Sequence, residues 1–256
     1  MISAVIFDLD GTLLETEELK ALSYARAAVE LRPGLREDDV TAAYADDLVG
    51  HSRREVAEAV VQRFGLEEAA RGRMADVGEE ESWRVLVKIR VGIYEDLLED
   101  SDLLLEKRYP HNIEMLRELR REGYPTACAT MSHRYQVERV LSVLNLEDAF
   151  DVVATADDIQ NGKPDPEIDL LVAKKMSIPP EEFLVIEDSP AGIEAGIAAG
   201  MVVVAVPTKL TIRGVRAAGV LEPRWVVEDP QTLPDVVRRR IEDAGGRLEE
   251  TTTPGL

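Results

Sequence analysis

The feature that most constrains the fold of this chain is the alternation of short apolar runs with helical patterns. Five runs rich in β-branched residues cover residues 2–7, 125–130, 151–155, 183–187 and 201–206. An amphipathic helical pattern precedes each of the last four runs, at residues 113–122, 135–144, 167–175 and 191–199. Strands that alternate with helices in this way form parallel sheets covered by helices on both faces. The sequence therefore predicts an α/β fold with a doubly wound parallel sheet.

The segment between the first two runs has a different pattern. Residues 16–100 contain no convincing strand, and apolar residues recur there at the three- and four-residue spacing of amphipathic helices. The sequence therefore predicts an all-helical domain inserted into an α/β core formed by residues 1–15 and 101–245. Residues 246–256, which include three threonines and end in Pro-Gly-Leu, are expected to form a flexible tail.

Charge limits the partners of this chain. Lys and Arg total 30 against 50 Asp and Glu, which gives a formal charge of −20 at pH 7. This balance argues against binding to nucleic acid or to an anionic membrane. The sequence has neither a basic N-terminal region followed by a long apolar run nor a span of about 18 apolar residues, and its single cysteine, Cys128, excludes an intrachain disulfide. We expect a cytoplasmic protein that is a monomer or a weak homodimer.

Polar residues follow the apolar runs at the edge of the predicted sheet where ligands bind in open parallel α/β folds. Asp8, Asp10 and Thr12 follow the first run, Thr130 ends the second, and Glu187 and Asp188 end the fourth. Lys163 lies in a Gly- and Pro-rich turn after the third run. Clustered carboxylates repel one another unless a cation or a proton intervenes, and oxygen ligands without His or Cys suit Mg²⁺. The pattern predicts a site where Mg²⁺ and a lysine bind a phosphoryl group.

Four segments in order resemble the motifs of the haloacid dehalogenase superfamily, most closely its sugar-phosphatase and β-phosphoglucomutase-like branch. They are DLDGT at residues 8–12, ACATMS with Thr130, NGKPDP with Lys163, and IEDSPAGIEAGIAAG with Glu187 and Asp188. The resemblance implies a Rossmannoid core with a small helical cap domain, a Mg²⁺ cofactor and a small phosphorylated metabolite as substrate. Asp10 favours phosphate-ester chemistry, because dehalogenase and phosphonatase relatives lack an aspartate there.

The resemblance also implies a role for each motif residue. Asp8 would be the nucleophile that becomes an aspartyl phosphate, and Asp10 would be the general acid and base. Thr130 and Lys163 would bind the transferring phosphate. The expected metal ligands are Asp8, Glu187, Asp188 and the Asp10 carbonyl, and the expected supporting residues are Gly11, Thr12 and Met131.

The helical insertion carries a weaker signal. The segment LVGHSRR resembles the part of mutase-like relatives that binds the distal phosphate or sugar of the substrate, which makes Gly50 and Arg53 candidate contacts. Lys20 is a third candidate substrate contact. It stands where mutase-like members usually have a histidine that supports proton transfer, so hydrolysis is favoured over the alternative of a phosphomutase. A non-catalytic binding module on the same scaffold is a third alternative, which the intact set of motif residues opposes. Ser132 either touches the phosphate or simply precedes a helix.

Overall fold

The chain divides into two compact units in a computed structural model that describes residues 1–49 and 53–251. The first unit joins Met1–Glu15 to Leu105–Leu256, and the second is Thr16–Leu104. The end of the second unit therefore lies four residues beyond residue 100, where the sequence pattern placed it.

The first unit contains one parallel sheet. Its strands are β1 (Ala4–Phe7), β2 (Thr126–Ala129), β3 (Val152–Ala154), β4 (Phe183–Glu187) and β5 (Val202–Ala205). The spatial order is β3-β2-β1-β4-β5, so the connections leave β1 in one direction and return to its other side at β4. In register, Phe7 of β1 pairs with Cys128 of β2 and Ile186 of β4. Each predicted run contains one of these strands, which confirms the doubly wound α/β fold.

The second unit is helical over the residues that the structure describes. Its helices are α1 (Thr16–Leu31), α2 (Glu37–Ala43), a π-helical turn (Tyr44–Leu48), α3 (Arg53–Arg63), α4 (Glu67–Val77) and α5 (Ser82–Glu99), and α6 (Ser101–Glu106) crosses the boundary to the first unit. The apolar stripes of these helices meet in a core of their own that includes Ala28, Val60 and Leu86. The unit therefore has the separate hydrophobic core that defines a domain.

The first unit continues with six helices, which are α7 (Pro110–Arg121), α8 (Arg134–Val143), α9 (Glu167–Met176), α10 (Pro190–Ala198), α11 (Ile212–Ala218) and α12 (Leu233–Thr251). Ile168 of α9 and Ile193 of α10 pack with Ile6 and Val185 on one face of the sheet. Right-handed crossovers require α7 and α8 on the opposite face.

Helix α12 extends into the segment predicted as a tail. It continues through Thr251, because residues 247–250 are types with good helix propensity. Across the described residues, the structure contains no helix with the length and hydrophobicity needed to cross a membrane.

Candidate active site

The turn after β1 brings two carboxyl groups to the carboxyl edge of the sheet. Asp8 is the first residue beyond β1, and its N–H donates to the Ile186 carbonyl of β4 at 3.0 Å. The Leu9 carbonyl accepts the N–H groups of residues 12–14, which closes the turn immediately after the strand. Asp10 therefore lies on a tight turn and not on an extended strand.

Gly11 allows this turn to approach the end of β4. Its φ of +84° lies in a region that L side chains rarely adopt, and a Cβ there would lie 2.3 Å from Asp188 Oδ2. Thr12 is fully buried, and its carbonyl accepts a hydrogen bond from Asn112 Nδ2 at 2.6 Å. Thr12 was expected to be a supporting residue, but its hydroxyl has no hydrogen-bond partner among the described residues.

Asp8 forms a buried ion pair with Lys163. The Lys163 ammonium donates to Asp8 Oδ1 at 2.9 Å, to the Ala129 carbonyl at 2.9 Å and to Glu187 Oε2 at 2.8 Å, so all three of its donors have acceptors. Burial lowers the pKa of Lys163, but the carboxylates of Asp8 and Glu187 raise that pKa well above its ordinary value. The lysine is therefore held as a charged group in the interior.

Asp10 is held by two hydroxyl groups. Its Oδ2 accepts hydrogen bonds from Thr130 Oγ1 at 2.9 Å and from Ser132 Oγ at 2.6 Å. Thr130 is the first residue beyond β2 and is fully buried. The carboxyl groups of Asp8 and Asp10 therefore have different partners, an ammonium for the first and hydroxyls for the second.

Three carboxylates at the ends of β1 and β4 form a candidate metal site. One oxygen from each of Asp8, Glu187 and Asp188 lies within 4.8 Å of the others, and all three residues are buried. Burial and the Glu187 carboxylate raise the pKa of Asp8 well above its ordinary value, and Lys163 opposes this shift only in part. A divalent cation would relieve the remaining repulsion, and a donor set made only of oxygens fits Mg²⁺.

Glu187 also accepts hydrogen bonds from the residues that precede α10. Its Oε1 accepts hydrogen bonds from the N–H groups of Asp188 and Ser189 at 3.0 Å and from the Ser189 hydroxyl at 2.9 Å, while its Oε2 accepts from Lys163. A Cβ at Gly192 would lie 2.0 Å from Glu187 Oε2, so a glycine is needed where α10 passes this carboxylate. Glu187 therefore orients Lys163 and the start of α10.

Met131 packs against the turn that carries Lys163. Its side chain is exposed, and a Cβ at Gly162 would lie 2.6 Å from Met131 Cε. The glycine before Lys163 therefore makes room for Met131.

The second unit brings together two of the three predicted substrate contacts and one residue that the sequence reasoning missed. Lys20 is ion-paired with Glu17 at 2.7 Å, and the Arg53 carbonyl accepts from the Tyr24 hydroxyl at 3.4 Å. Burial raises the pKa of Tyr24, whereas the Arg90, Arg53 and Lys20 cations lower it, so these three side chains act on one phenol. Gly50 lies outside the described residues.

Arg90 is the missed residue of this group. It is 6% exposed, its Nε–H donates to Ser23 Oγ at 2.9 Å, and its guanidinium lies 5.0 Å from the Tyr24 ring centre and 4.6 Å from the Tyr94 ring centre. The signal in the sequence is an arginine within the otherwise apolar series Leu86, Arg90, Tyr94 and Leu97 of α5.

Asp169 of α9 is a second missed residue. It is 1% exposed, and neither of its carboxyl oxygens has a hydrogen-bond partner in the described part of the chain. Burial raises the pKa of Asp169 to about 6; Lys163 lowers this pKa and Glu187 raises it. Its position beside Ile168 and before Val172, on the inward face of α9, is the signal that could have identified it.

Comparisons with known proteins agree with this geometry. A family model described as haloacid dehalogenase-like hydrolase matches residues 5–206. The chain is 30% identical over 202 residues to a phosphorylated carbohydrates phosphatase from Thermotoga maritima, across 77% of this chain and 82% of that protein. It is 31% identical over 208 residues to a phosphoglycolate phosphatase from Escherichia coli K12, across 78% of this chain and 79% of that protein.

A solved structure is also similar. A Thermotoga maritima protein provisionally named a β-phosphoglucomutase superposes with a TM-score of 0.69 and 28% sequence identity. The superposition covers 93% of this chain and 99% of that one.

Proposed function

Because the chain belongs to the haloacid dehalogenase-like hydrolase family, we propose that it is a Mg²⁺-dependent phosphatase acting on a small phosphorylated metabolite such as a sugar phosphate. The observation that carries this proposal is that two neighbouring carboxyl groups have different hydrogen-bond partners. Asp8 lies against an ammonium, whereas Asp10 lies against two hydroxyls. The Lys163 ammonium opposes the rise in the pKa of Asp8 that burial causes and so favours the ionised nucleophile, and Asp10 is proposed to transfer the proton. The names of two relatives as phosphatases support hydrolysis.

The proposed reaction has two steps that both use these carboxyl groups. A carboxylate oxygen of Asp8 attacks phosphorus, the bond from phosphorus to the leaving alcohol breaks, and Asp10 gives its proton to the alcohol oxygen. The product is an aspartyl phosphate at Asp8. Asp10, now ionised, takes a proton from a water molecule whose oxygen attacks phosphorus. The bond from phosphorus to the Asp8 oxygen breaks, inorganic phosphate leaves, and both carboxyl groups return to their starting states.

The surrounding residues are proposed to offset the negative charge of the carboxylates and of the phosphoryl group. Asp8, Asp188, Glu187 and the Asp10 carbonyl would hold Mg²⁺, which when bound offsets the negative charge of the carboxylates and of the transferring phosphoryl group. Lys163 would contribute the second compensating charge from the side of Asp8 and Glu187. Thr130 would bind a phosphate oxygen through its hydroxyl.

We propose that the second unit is the cap domain and that its residues select the substrate. Lys20, Arg53 and Arg90 all influence the Tyr24 phenol, in a chain whose total charge is −20. Glu17 offsets the charge of Lys20 in this group. The charges of Arg53 and Arg90, in an acidic protein, favour a substrate with an anionic group besides the transferred phosphate. The phosphoglycolate named for one relative has such a group, a carboxylate.

The alternative of a phosphomutase predicts a different fate for the phosphoryl group. The name of the superposed Thermotoga maritima structure favours it. Against it, Lys20 is paired with Glu17 and is a poor proton acceptor in that state. Incubation with β-glucose 1-phosphate and a bisphosphate primer distinguishes the two, since only a mutase forms glucose 6-phosphate faster than it releases phosphate.

The nucleophile is tested by Asp8→Asn, assayed with Mg²⁺ against a panel of phosphorylated metabolites by phosphate release. We expect kcat to fall on the order of 10³-fold or more, because the amide is a poor nucleophile. Asp148→Asn is the matched control, since Asp148 is exposed and lies outside the site. A chelator should abolish the wild-type activity, and added Mg²⁺ should restore it. Undiminished turnover by the Asp8 variant would contradict the mechanism.

A further inference from the structure

Ser132 has no assigned role, yet it makes the shorter of the two hydroxyl contacts to Asp10. We propose that Ser132 is a positioning residue that orients the Asp10 carboxyl group for proton transfer to the leaving alcohol. This inference rests on the proposed phosphatase function, because it concerns the proton that the first step requires.

The backbone of Ser132 is fixed on both sides. Its N–H donates to Thr130 Oγ1 at 3.1 Å, and its carbonyl accepts the Ala156 N–H at 3.2 Å. Two hydrogen bonds therefore hold the backbone of Ser132 between Thr130, which follows β2, and Ala156, which lies after β3. This backbone position places the Ser132 hydroxyl within hydrogen-bond distance of Asp10 Oδ2.

The two hydroxyls at Asp10 cannot both remain there during the reaction if Thr130 also binds phosphate. The Thr130 oxygen accepts the Ser132 N–H, and its single hydroxyl proton points to Asp10 Oδ2. If that proton turns to a phosphate oxygen, Asp10 loses one of its two hydroxyl donors. Ser132 is then the hydroxyl that continues to hold the carboxyl group.

A serine suits this task because a hydroxyl both donates and accepts. It can donate to Asp10 when the carboxyl group is ionised, and it can rotate when the group carries the proton. A positioned general acid contributes about 10²- to 10⁴-fold to rate, so loss of its orientation forfeits part of that factor.

The test uses two leaving groups in Ser132→Ala. The rate of the first step is measured as alcohol or phenol released in the first turnover, because the second step also uses Asp10 and is common to both substrates. With the alkyl phosphate that the wild type hydrolyses fastest, departure of the alcohol needs a proton, and we expect this rate to fall about 10- to 100-fold. With p-nitrophenyl phosphate, the leaving group departs as an anion, and we expect less than about a threefold change in this rate because proton donation is not needed. Ser132→Thr, which keeps the hydroxyl, should restore most of the activity on the alkyl phosphate.

Two results would overturn the proposal. An equal loss in the rate of the first step on both substrates would indicate a general structural role. A change confined to KM, for substrates with a second anionic group, would make Ser132 a substrate contact. Thermal unfolding shows whether Ser132→Ala is folded, and Ser132→Cys offers a second variant of similar size if it is not. Ser142→Ala, an exposed position on α8, is the matched control. A wild type without activity on either substrate would refute the proposed function itself.

Discussion

The buried cations of the two units have different neighbours. Carboxylates surround the cation of the first unit, and aromatic rings surround the cation of the second. In the first unit, the Lys163 ammonium lies between the carboxylates of Asp8 and Glu187, and Asp188 lies nearby. The single lysine cannot balance these charges, and the pKa of Asp8 is raised accordingly, through burial first and Glu187 second. This carboxylate cluster has an excess of negative charge, which a further cation would offset.

In the second unit, the Arg90 guanidinium lies between the rings of Tyr24 and Tyr94 and has no carboxylate partner in the part of the chain that the structure describes. Cation–π contacts and one bond to Ser23 stabilise it but do not neutralise it. We propose that this positive charge contributes to the binding of a substrate anion. The contrast suggests that the first unit is built for phosphoryl transfer and the second for recognition of a substrate anion.

Among the substitutions that test this difference between the units, Lys163→Met is expected to have the largest effect, a loss of stability. Removal of one member of a buried ion pair costs about 3–5 kcal/mol, because the remaining carboxylates lose their counter-ion. We expect the free energy of unfolding at pH 7, measured by urea denaturation, to fall by this amount. The loss should be smaller at pH 5, because Asp8, whose pKa is raised, takes up a proton more readily there.

Lys174→Met is the control for that measurement. Lys174 is exposed on α9, so its removal should change the unfolding free energy by less than about 0.5 kcal/mol. Equal effects of the two substitutions would show that the charges around Asp8 and Glu187 do not depend on Lys163.

The two sites also differ in how far the sequence predicts them. Asp8, Thr130 and Glu187 lie at strand ends, and the strand pattern alone brings such residues to one edge of a parallel sheet. The cluster in the second unit joins side chains from α1, α3 and α5. Helical periodicity predicts which residues face inward, but it does not predict which inward residues of separate helices meet. The contacts of Arg90 with Tyr24 and Ser23 could therefore be identified only from the structure.

Within the first unit, the sequence left the direction of each side chain open. Ser132 was expected either to touch phosphate or to precede a helix, and its contact with Asp10 depends on a hydrogen bond to the loop after β3. The bond from Asn112 to the Thr12 carbonyl joins residues 100 positions apart. Contacts of this kind depend on tertiary packing, so no local pattern predicts them.

An intermediate effect is expected from Arg90→Gln. If the second unit recognises a second anionic group of the substrate, loss of a charge-assisted contact should raise KM for such a substrate about 10- to 100-fold. KM for p-nitrophenyl phosphate, which has no second anionic group, should change by less than about threefold. Steady-state kinetics on both substrates measures the difference.

Arg84→Gln is the matched control for Arg90→Gln. Arg84 also lies over an aromatic ring, that of Trp83 at 5.0 Å, but its side chain is 53% exposed and paired with Glu81. Its loss should leave both KM values unchanged. If Arg90→Gln raises KM equally for both substrates, the second unit does not discriminate by anionic groups.

The smallest effect concerns Asp169, a buried carboxyl group close enough to Lys163 and Glu187 for their charges to shift its pKa. Its pKa in the folded protein, about 6, is raised above the ordinary value of 3.8. The folded state therefore binds this proton more tightly than the unfolded state, and stability falls as pH rises from about 4 to about 6. The full shift corresponds to about 3 kcal/mol as an upper bound.

Asp169→Asn removes that cost, although its amide is left without partners as the carboxyl group is, so we expect a net gain of about 1 kcal/mol above pH 7. Below about pH 4, the wild-type carboxyl group is protonated in both states, and the gain should vanish. Thermal unfolding at pH 4 and at pH 8 measures both limits. A gain that is equal at the two pH values would contradict a cost that comes from the buried charge, since only that charge depends on pH. A gain only at pH 8 would show that the cost comes from the buried charge, which extends the excess of negative charge in the first unit from the sheet edge into α9.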